Sequence, residues 1–245
     1  MASRVPSIDT ADVVARPHRY FRRQYVWQWP IRWWHWINAA AVTVLFATGL
    51  YIASPQLAPA GEAFRNNVMG TVRQVHFVTA FVFAVNFLWR IYWFWMGNNY
   101  ARSGFPFIWR REWWRDLFRQ LGDYLRFKPG HIHLGHNALG GLTYTIFVIG
   151  LGWAQAFTGF ALYSESNPGG TFDRFFGWVL PLMGGSFQTR MWHHLFAWGF
   201  VLFAILHVYI VFYDGQQYKN GLLTGMVSGE KFYREGHLDH DTWLS

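Results

Sequence analysis

The chain has 245 residues, of which 52% are hydrophobic and 21% are aromatic, and its formal net charge is +8. Because it contains no cysteine, disulfides, cysteine-bound iron–sulfur clusters and covalently attached c-type haem are excluded. Sixteen tryptophans and an only slightly positive mean hydropathy predict a small polytopic membrane protein, in which apolar spans alternate with polar connections. A basic charge in such a protein reflects cytoplasmic loops more often than nucleic-acid binding, so we expect no nucleic-acid partner.

Four segments are long and apolar enough to cross a bilayer, which takes about twenty residues. They cover residues 32–52, 72–96, 137–163 and 190–213. We therefore predict an all-α fold, an integral membrane four-helix bundle over residues 32–213. Residues 1–31 lack the apolar core of a cleaved signal peptide and are expected to form an N-terminal segment, and residues 214–245 form a C-terminal tail.

Basic residues are concentrated in alternate connections. The N-terminal segment contains Arg4, Arg16, Arg19, Arg22 and Arg23, and the connection between the second and third spans contains Arg102, Arg110, Arg111, Arg115, Arg119, Arg126 and Lys128. The other two connections contain only Arg65 and Arg174. Because basic connections stay on the inner side of the membrane, both termini and the long middle connection are predicted to be cytoplasmic.

The middle connection has an apolar residue at every fourth position. These residues are Trp109, Trp113, Leu117, Leu121 and Leu125, and arginines lie between them. The pattern predicts an amphipathic helix whose apolar face lies on the inner membrane surface. The alternative is a soluble connector packed on the ends of the bundle.

Histidines lie near the ends of three predicted spans. His35 begins the first span near the inner face, and His76 begins the second span near the outer face. His193 and His194 begin the fourth span near the outer face, and His207 follows near the inner face. Two levels of the membrane therefore each contain histidines from different helices.

Helix geometry selects which histidines can face each other. His193 and His207 are 14 residues apart, which is about 40° short of four full turns, so they share a face about 21 Å apart. His194 points about 140° away from His207. We therefore predict an outer pair of His76 with His193 and an inner pair of His35 with His207.

Two facing imidazoles suit the axial positions of a low-spin haem iron and leave no open coordination position. A single membrane histidine more often bonds to a neighbouring helix, but four at two matched depths favour two haems. Zinc is disfavoured because two ligands per level are too few for a tetrahedral site. Small residues near the histidines would allow close approach of a flat macrocycle; they are Ala39, Ala40, Thr79, Ala80, Ala197 and Gly199.

Other polar residues near the inner level have two interpretations. Arg90 lies 14 residues after His76 on the same helix face and needs an anion, for which we predict a propionate of the inner haem. The alternative is that the side chain of Arg90 reaches the inner headgroups. His131, His133 and His136 precede the third span and are either solvated loop residues or residues that handle protons or quinone.

Several segments carry a resemblance to a known family. They include "PIRWWHWINAAAVTVLFATGLYI", "RQVHFVTAF", "GHNALGGL", "FTGFALY" and "WHHLFAWGFVLFAILHVY". From about residue 25 to about residue 230 the chain resembles the b-type cytochrome subunit of membrane-bound nickel–iron hydrogenases. The resemblance implies four transmembrane helices in the bacterial cytoplasmic membrane, with two haem b groups held by His35, His76, His193 and His207.

The resemblance also implies a role and partners. The chain would have no hydrogen site of its own and would accept electrons from an iron–sulfur small subunit, bound with a nickel–iron large subunit on the outer face. It would pass these electrons to membrane quinone. Two alternatives stay open: the equivalent cytochrome of a formate dehydrogenase or thiosulfate reductase, and a small transporter or sensor with a histidine proton relay.

Overall fold

The structure is a computed structural model, and it describes residues 21–55, 67–126, 133–218 and 221–234. Several residues discussed above lie outside this part of the chain: Arg4, Arg16, Arg19, Arg65, Lys128 and His131. The elements, in chain order, are β1 (Phe21–Tyr25), α1 (Trp29–Ala53), α2 (Val68–Met96), α3 (Asn99–Arg102), α4 (Arg111–Leu125), α5 (Ala138–Ser164), α6 (Thr171–Phe176), α7 (Val179–Leu182), α8 (Ser186–Tyr218), α9 (Leu222–Ser228) and β2 (Glu230–Arg234).

Four helices, α1, α2, α5 and α8, are long and apolar enough to cross a membrane. Each lies over one predicted span, which confirms the all-α bundle. Proline in the first turn of α1 is favourable because its fixed φ suits a helix start and no backbone N–H is lost there. Asn137 caps α5, since its side chain accepts a hydrogen bond from the backbone N–H of Gly140 at 2.6 Å.

The bundle consists of two closely packed helix pairs, α1 with α2 and α5 with α8. Aromatic and aliphatic side chains fill the centre, where Trp34, Phe83, Phe87, Val148 and Phe200 are buried together. The buried amide of Asn86 is satisfied because its Nδ2 donates to the carbonyl of Trp34 at 3.0 Å. A polar group between membrane helices thus has a backbone partner, as the absence of water there requires.

The third membrane helix, α5, contains a π-helical segment over Tyr144–Gly150. Such segments are rare and often occur at functional sites. Here the segment begins with Tyr144, whose ring lies 5.5 Å from the ring of His136 and 5.5 Å from the guanidinium of Arg90. The change in helix geometry therefore occurs beside the polar residues of the inner level.

A short antiparallel sheet joins the two ends of the described chain. Strand β1 pairs with β2 in a register that places Phe21 opposite Arg234 and Tyr25 opposite Glu230. Nearby, the Lys231 ammonium donates to the carbonyl of Gly135 at 3.3 Å. The N-terminal segment, the middle connection and the C-terminal segment therefore lie at the same end of the bundle. The sequence analysis does not predict these strands.

The middle connection forms the helix α4, but two of the predicted apolar residues face a different way. Trp113 and Leu117 are only 1% and 6% exposed and pack against Ala138 at the start of α5. Trp109 precedes the helix. The prediction that these residues face the membrane is wrong, because a step of four residues turns about 40° further around a helix each time. This face packs on the bundle, as the alternative interpretation proposed.

A second apolar stripe on α4 is exposed. Trp114, Phe118, Leu121 and Leu125 are each at least 42% exposed and fall within an arc of about 60°. The exposed residues Arg111 and Arg115 lie beside this stripe on the side away from the bundle. An apolar stripe flanked by arginines is typical of a helix in the membrane interface, so an interfacial position stays our prediction for α4, with this stripe toward lipid.

The lipid-facing stripe can be tested by spin labelling, because the chain has no cysteine to remove. We expect a label on Phe118→Cys in proteoliposomes to be more accessible to oxygen, which concentrates in lipid, than a label on Arg115→Cys. The latter label should instead be relaxed by a water-soluble nickel complex. Power-saturation EPR measures both. Equal accessibility of the two labels to the nickel complex would place this face in water and contradict the prediction.

Candidate functional site

A cavity of about 610 Å³ lies between the four membrane helices at the level of His76 and His193. This volume is in the range of cavities that bind ligands or cofactors. Apolar side chains such as Val42, Leu45 and Phe83 form most of its wall. Charged residues lie on the lining toward the helix ends; these are Arg73, Glu165 and Arg190. The predicted outer pair of histidines therefore lines one cavity.

His76 is held on one side by the first membrane helix. Its Nδ1 lies 2.8 Å from Oγ1 of Thr48, and its Cε1 is in van der Waals range of Gly49. Metal-binding histidines generally use their second nitrogen in this way, with a hydrogen bond that fixes the ring. The contacts of His76 suit a ligand whose Nε2 faces the cavity.

His193 has equivalent contacts with the third membrane helix. Its Nδ1 lies 2.9 Å from Oγ1 of Thr158, and its Cε1 lies next to Gly159. Its Nε2 is 3.1 Å from the amide nitrogen of Gln155. The adjacent His194 differs, because it is exposed and its Nδ1 lies 2.9 Å from the carbonyl of Arg190 in its own helix. The two neighbouring histidines therefore differ in their hydrogen bonds and exposure, although both line the cavity.

The predicted inner pair is also brought together. The rings of His35 and His207 have centroids 6.3 Å apart and planes at 52° to each other. A metal ion between the rings would form two metal–nitrogen bonds of about 2 Å each, which account for about 4 Å of the distance between the centroids. The rest is the distance within each ring from its nitrogen to its centroid. Nδ1 of His35 is buried and has no hydrogen-bond partner in the described part of the chain. Both levels therefore fit a haem iron with two axial imidazoles.

Arg90 lies near the inner level and is only 5% exposed. Its guanidinium donates to the carbonyl of Ala101 at 2.7 Å and lies 5.6 Å from the ring of Trp34. Its Nε is buried without a hydrogen-bond partner among the described residues, which also place no carboxylate within 4 Å. A buried guanidinium with spare donors fits a haem propionate better than it fits a side chain that reaches the headgroups.

His133 is buried and His136 is partly buried, so the interpretation of these two histidines as solvated loop residues is wrong. Nδ1 of His136 lies 3.0 Å from Oγ of Ser103, and its ring contacts Trp27 and Tyr144. Burial, together with the charges of Lys231 and Arg90 and the nearby His207, lowers the pKa of His136 to about 3. His136 is therefore a neutral imidazole at physiological pH, close to the inner pair.

The residues that the sequence analysis missed are the contacts of the outer histidines, Thr48 with Gly49 and Thr158 with Gly159. The sequence indicates these residues only weakly: the dipeptide Thr-Gly occurs in both the first and the third span, in "FATGLY" and "FTGFALY". Nothing in the sequence alone places these dipeptides beside histidines of other helices. The predicted small residues Thr79 and Gly199 do not take this role among the contacts that the structure describes.

Comparisons with known proteins agree with this architecture. The family model of prokaryotic cytochrome b561 matches residues 26–229. The protein named "Probable Ni/Fe-hydrogenase B-type cytochrome subunit" from Azotobacter chroococcum mcd 1 is 39% identical, over 88% of this chain and 91% of its own length. Its namesake from Cupriavidus necator is 37% identical, over 86% and 88%. The "Probable Ni/Fe-hydrogenase 1 B-type cytochrome subunit" of Escherichia coli (strain K12) is 32% identical, over 88% and 94%.

The family match covers the four membrane helices, the four paired histidines and the middle connection. The relatives match over nearly their whole length, so the likeness is not limited to one apolar segment. The chain therefore belongs to the prokaryotic cytochrome b561 family, among relatives named as B-type cytochrome subunits of Ni/Fe hydrogenase.

Proposed function

We propose that this chain is the b-type cytochrome subunit of a nickel–iron hydrogenase and connects that enzyme electrically to membrane quinone. It would hold two haem b groups and take electrons from the iron–sulfur small subunit of the hydrogenase. The observation that carries the proposal is the meeting of four histidines from three helices as two pairs, in a chain of this family. The names of the relatives favour a hydrogenase over a formate dehydrogenase or a thiosulfate reductase.

Haem b, when bound, supplies a one-electron redox centre. His76 and His193 would hold the outer group, and His35 and His207 the inner one. With both axial positions taken by imidazole, no coordination position is left for oxygen or hydrogen chemistry. The chain has no cysteine to bind nickel, iron or an iron–sulfur cluster, so hydrogen oxidation belongs to the partner.

The distribution of charge supports a direction of transfer. The arginine-rich end of the bundle, with His35 and His207, is the predicted cytoplasmic end. The large and small hydrogenase subunits would bind at the opposite, outer end, beside His76 and His193. The 14 residues between His193 and His207 separate the two levels by about 21 Å along α8. Electrons would enter at the outer level and leave at the inner one.

The inner end also offers polar groups for quinone. His136 is held by Ser103 and lies beside Tyr144 and Arg90, close to the inner pair. We propose that quinone is reduced near these residues and takes its protons from the cytoplasm. A transporter or sensor with a proton relay is the competing class. A reduced-minus-oxidised spectrum separates them, since a bis-histidine b haem gives sharp visible bands and a relay gives none.

Removal of an outer histidine should remove one of two haems. We expect His76→Ala and His193→Ala each to lose the outer haem, because each supplies one of its two axial bonds. His194→Ala is the matched control and should keep both, since its ring is exposed and bonds to its own helix. Haem per chain, measured as the pyridine haemochrome, checks this. Full haem content in either ligand variant, or loss confined to His194→Ala, would contradict the assignment.

Replacement of Arg90 should change the potential of one haem. We expect Arg90→Leu to lower the midpoint potential of the inner haem, because loss of a nearby buried cation makes reduction less favourable. Arg90→Lys should shift it less. Arg102→Leu is a control at the same end, where the exposed guanidinium bonds to helix carbonyls. A redox titration measures all three, and equal potentials in Arg90→Leu and the parent would argue against a propionate contact.

The direction of transfer can be tested by removal of an inner ligand. In membranes that contain the whole complex with His207→Ala, hydrogen should still reduce the outer haem, while an added quinone analogue should reoxidise it very slowly. Haem absorbance under hydrogen, followed after quinone addition, gives both rates. Normal reoxidation in the absence of the inner haem would place quinone at the outer level instead and would refute the proposed direction.

A further inference from the structure

The two outer histidines contact the same two residue types in the same order. Thr48 and Gly49 of α1 face His76 of α2, and Thr158 and Gly159 of α5 face His193 of α8. In both cases the threonine meets Nδ1 of the ring and the glycine lies beside Cε1. Two unrelated helix pairs therefore present one arrangement to the two sides of the cavity.

The hydroxyl groups of these threonines already donate elsewhere. Thr48 donates to the carbonyl of Val44 at 2.6 Å, and Thr158 donates to the carbonyl of Ala154 at 2.7 Å. A hydroxyl has one hydrogen, so each Oγ1 can only accept from the imidazole. Nδ1 of both histidines must therefore carry the proton. Nε2 is then the unprotonated nitrogen, which is the form that binds a metal. At His193 this nitrogen lies 3.1 Å from the amide of Gln155, a contact that a bound metal would replace.

Both glycines lie against these rings, and Gly159 makes room for its ring. A Cβ on Gly159 would lie 3.0 Å from Cε1 of His193, which is closer than a normal carbon contact. A Cβ on Gly49 would lie 3.4 Å from Cε1 of His76, which is ordinary contact. The helix backbone itself is thus the wall against which each ring rests. The fit is tighter at Gly159 than at Gly49.

We propose that Thr48 and Thr158 each position one axial ligand of the outer haem by holding the Nδ1 proton, and that Gly159 also admits the ring of His193. This inference rests on the proposed ligation of that haem by His76 and His193. Hydrogen bonding at Nδ1 makes an imidazole a more basic ligand and so favours ferric iron. The threonine contacts therefore lower the midpoint potential of the outer haem.

The inner pair lacks this arrangement in the part of the chain that the structure describes. Nδ1 of His35 is buried without a hydrogen-bond partner, and the ring of His207 lies against the rings of Phe203 and His35. The hydrogen bonds at His76 and His193 lower the midpoint potential of the outer haem. No such hydrogen bond lowers the midpoint potential of the inner haem at His35. This difference favours electron movement from the outer level to the inner level, which is the direction that the proposed function requires.

The test compares threonine variants of the whole complex. Thr48→Val and Thr158→Val remove the acceptor but keep the shape of the side chain, and we expect each to raise the outer midpoint potential and to alter the ferric EPR signal of that haem. Thr48→Ser and Thr158→Ser restore the acceptor and should behave as the parent. Thr43→Val is the matched control in α1, because Thr43 makes the same type of bond to the carbonyl of Ala39 at 2.9 Å and has no hydrogen bond to a histidine among the described residues.

The outcomes separate this inference from the function on which it rests. A parent complex with two haems, in which both Thr→Val variants keep the parent potential and EPR signal, overturns the positioning role alone. The same holds if Thr43→Val shifts the outer haem as much, or if serine fails to restore it. A parent with only one haem overturns the proposed function and this inference together. Loss of the outer haem in a Thr→Val variant, with serine and Thr43→Val intact, supports the positioning role.

Discussion

An imidazole between membrane helices needs a partner for its nitrogens, because no water is there to supply one. This requirement decides which faces of the helices can meet. The fourth helix has to present His193 and His207 on one side, and the first two helices have to bring His35 and His76 to the matching levels. At the outer level threonines satisfy Nδ1, and the remaining nitrogens converge on a shared cavity. The proposed iron would bind Nε2 of His76 and of His193, where Gln155 now meets the His193 ring.

A second constraint acts at the arginine-rich end, where a carboxylate is buried. Asp116 is 3% exposed and accepts hydrogen bonds from Arg119 at 2.6 Å, from Gln120 at 3.2 Å and from the backbone N–H of Ala138 at 3.2 Å. The last of these lies at the N-terminus of α5, where the helix dipole favours a negative charge. The middle connection is thereby fixed to the third membrane helix. The position of His136 follows, since it lies between the two.

The sequence predicts the fold well because length and apolar character are local properties. The four membrane helices can be found from hydropathy alone, and the histidine pairs follow from the periodicity of an α-helix. The observed helices extend past the predicted ends, as in α8, which continues to Tyr218. Hydropathy identifies only the part of a helix that is suited to lipid. The helix itself can continue through polar residues such as Asp214 and Gln217.

Other features could not be predicted because they depend on contacts distant in the sequence. Strands β1 and β2 are five residues each and pair across about 200 intervening residues, so neither has a local signal. A repeat of four residues predicts that Trp113 and Leu117 face the membrane, but both pack against Ala138 of the bundle. The Thr-Gly dipeptides are ordinary in membrane helices until the neighbouring helix supplies a histidine.

The pairing of β1 with β2 has a consequence for the order of assembly. Ribosomes deliver the N-terminal strand first and the C-terminal strand near the end of synthesis, so the sheet cannot close while the chain is still growing. Until it closes, the first and last membrane helices, which carry His35 and His207, lack the link that the sheet provides. The remaining described links at that end include the hydrogen bonds from Arg32 and Trp36 to carbonyls of α9. The outer pair comes from the second and fourth helices and does not depend on the sheet. Closure of the sheet therefore follows synthesis of the final strand, and we expect a truncation of that strand to act first on the pair of His35 and His207.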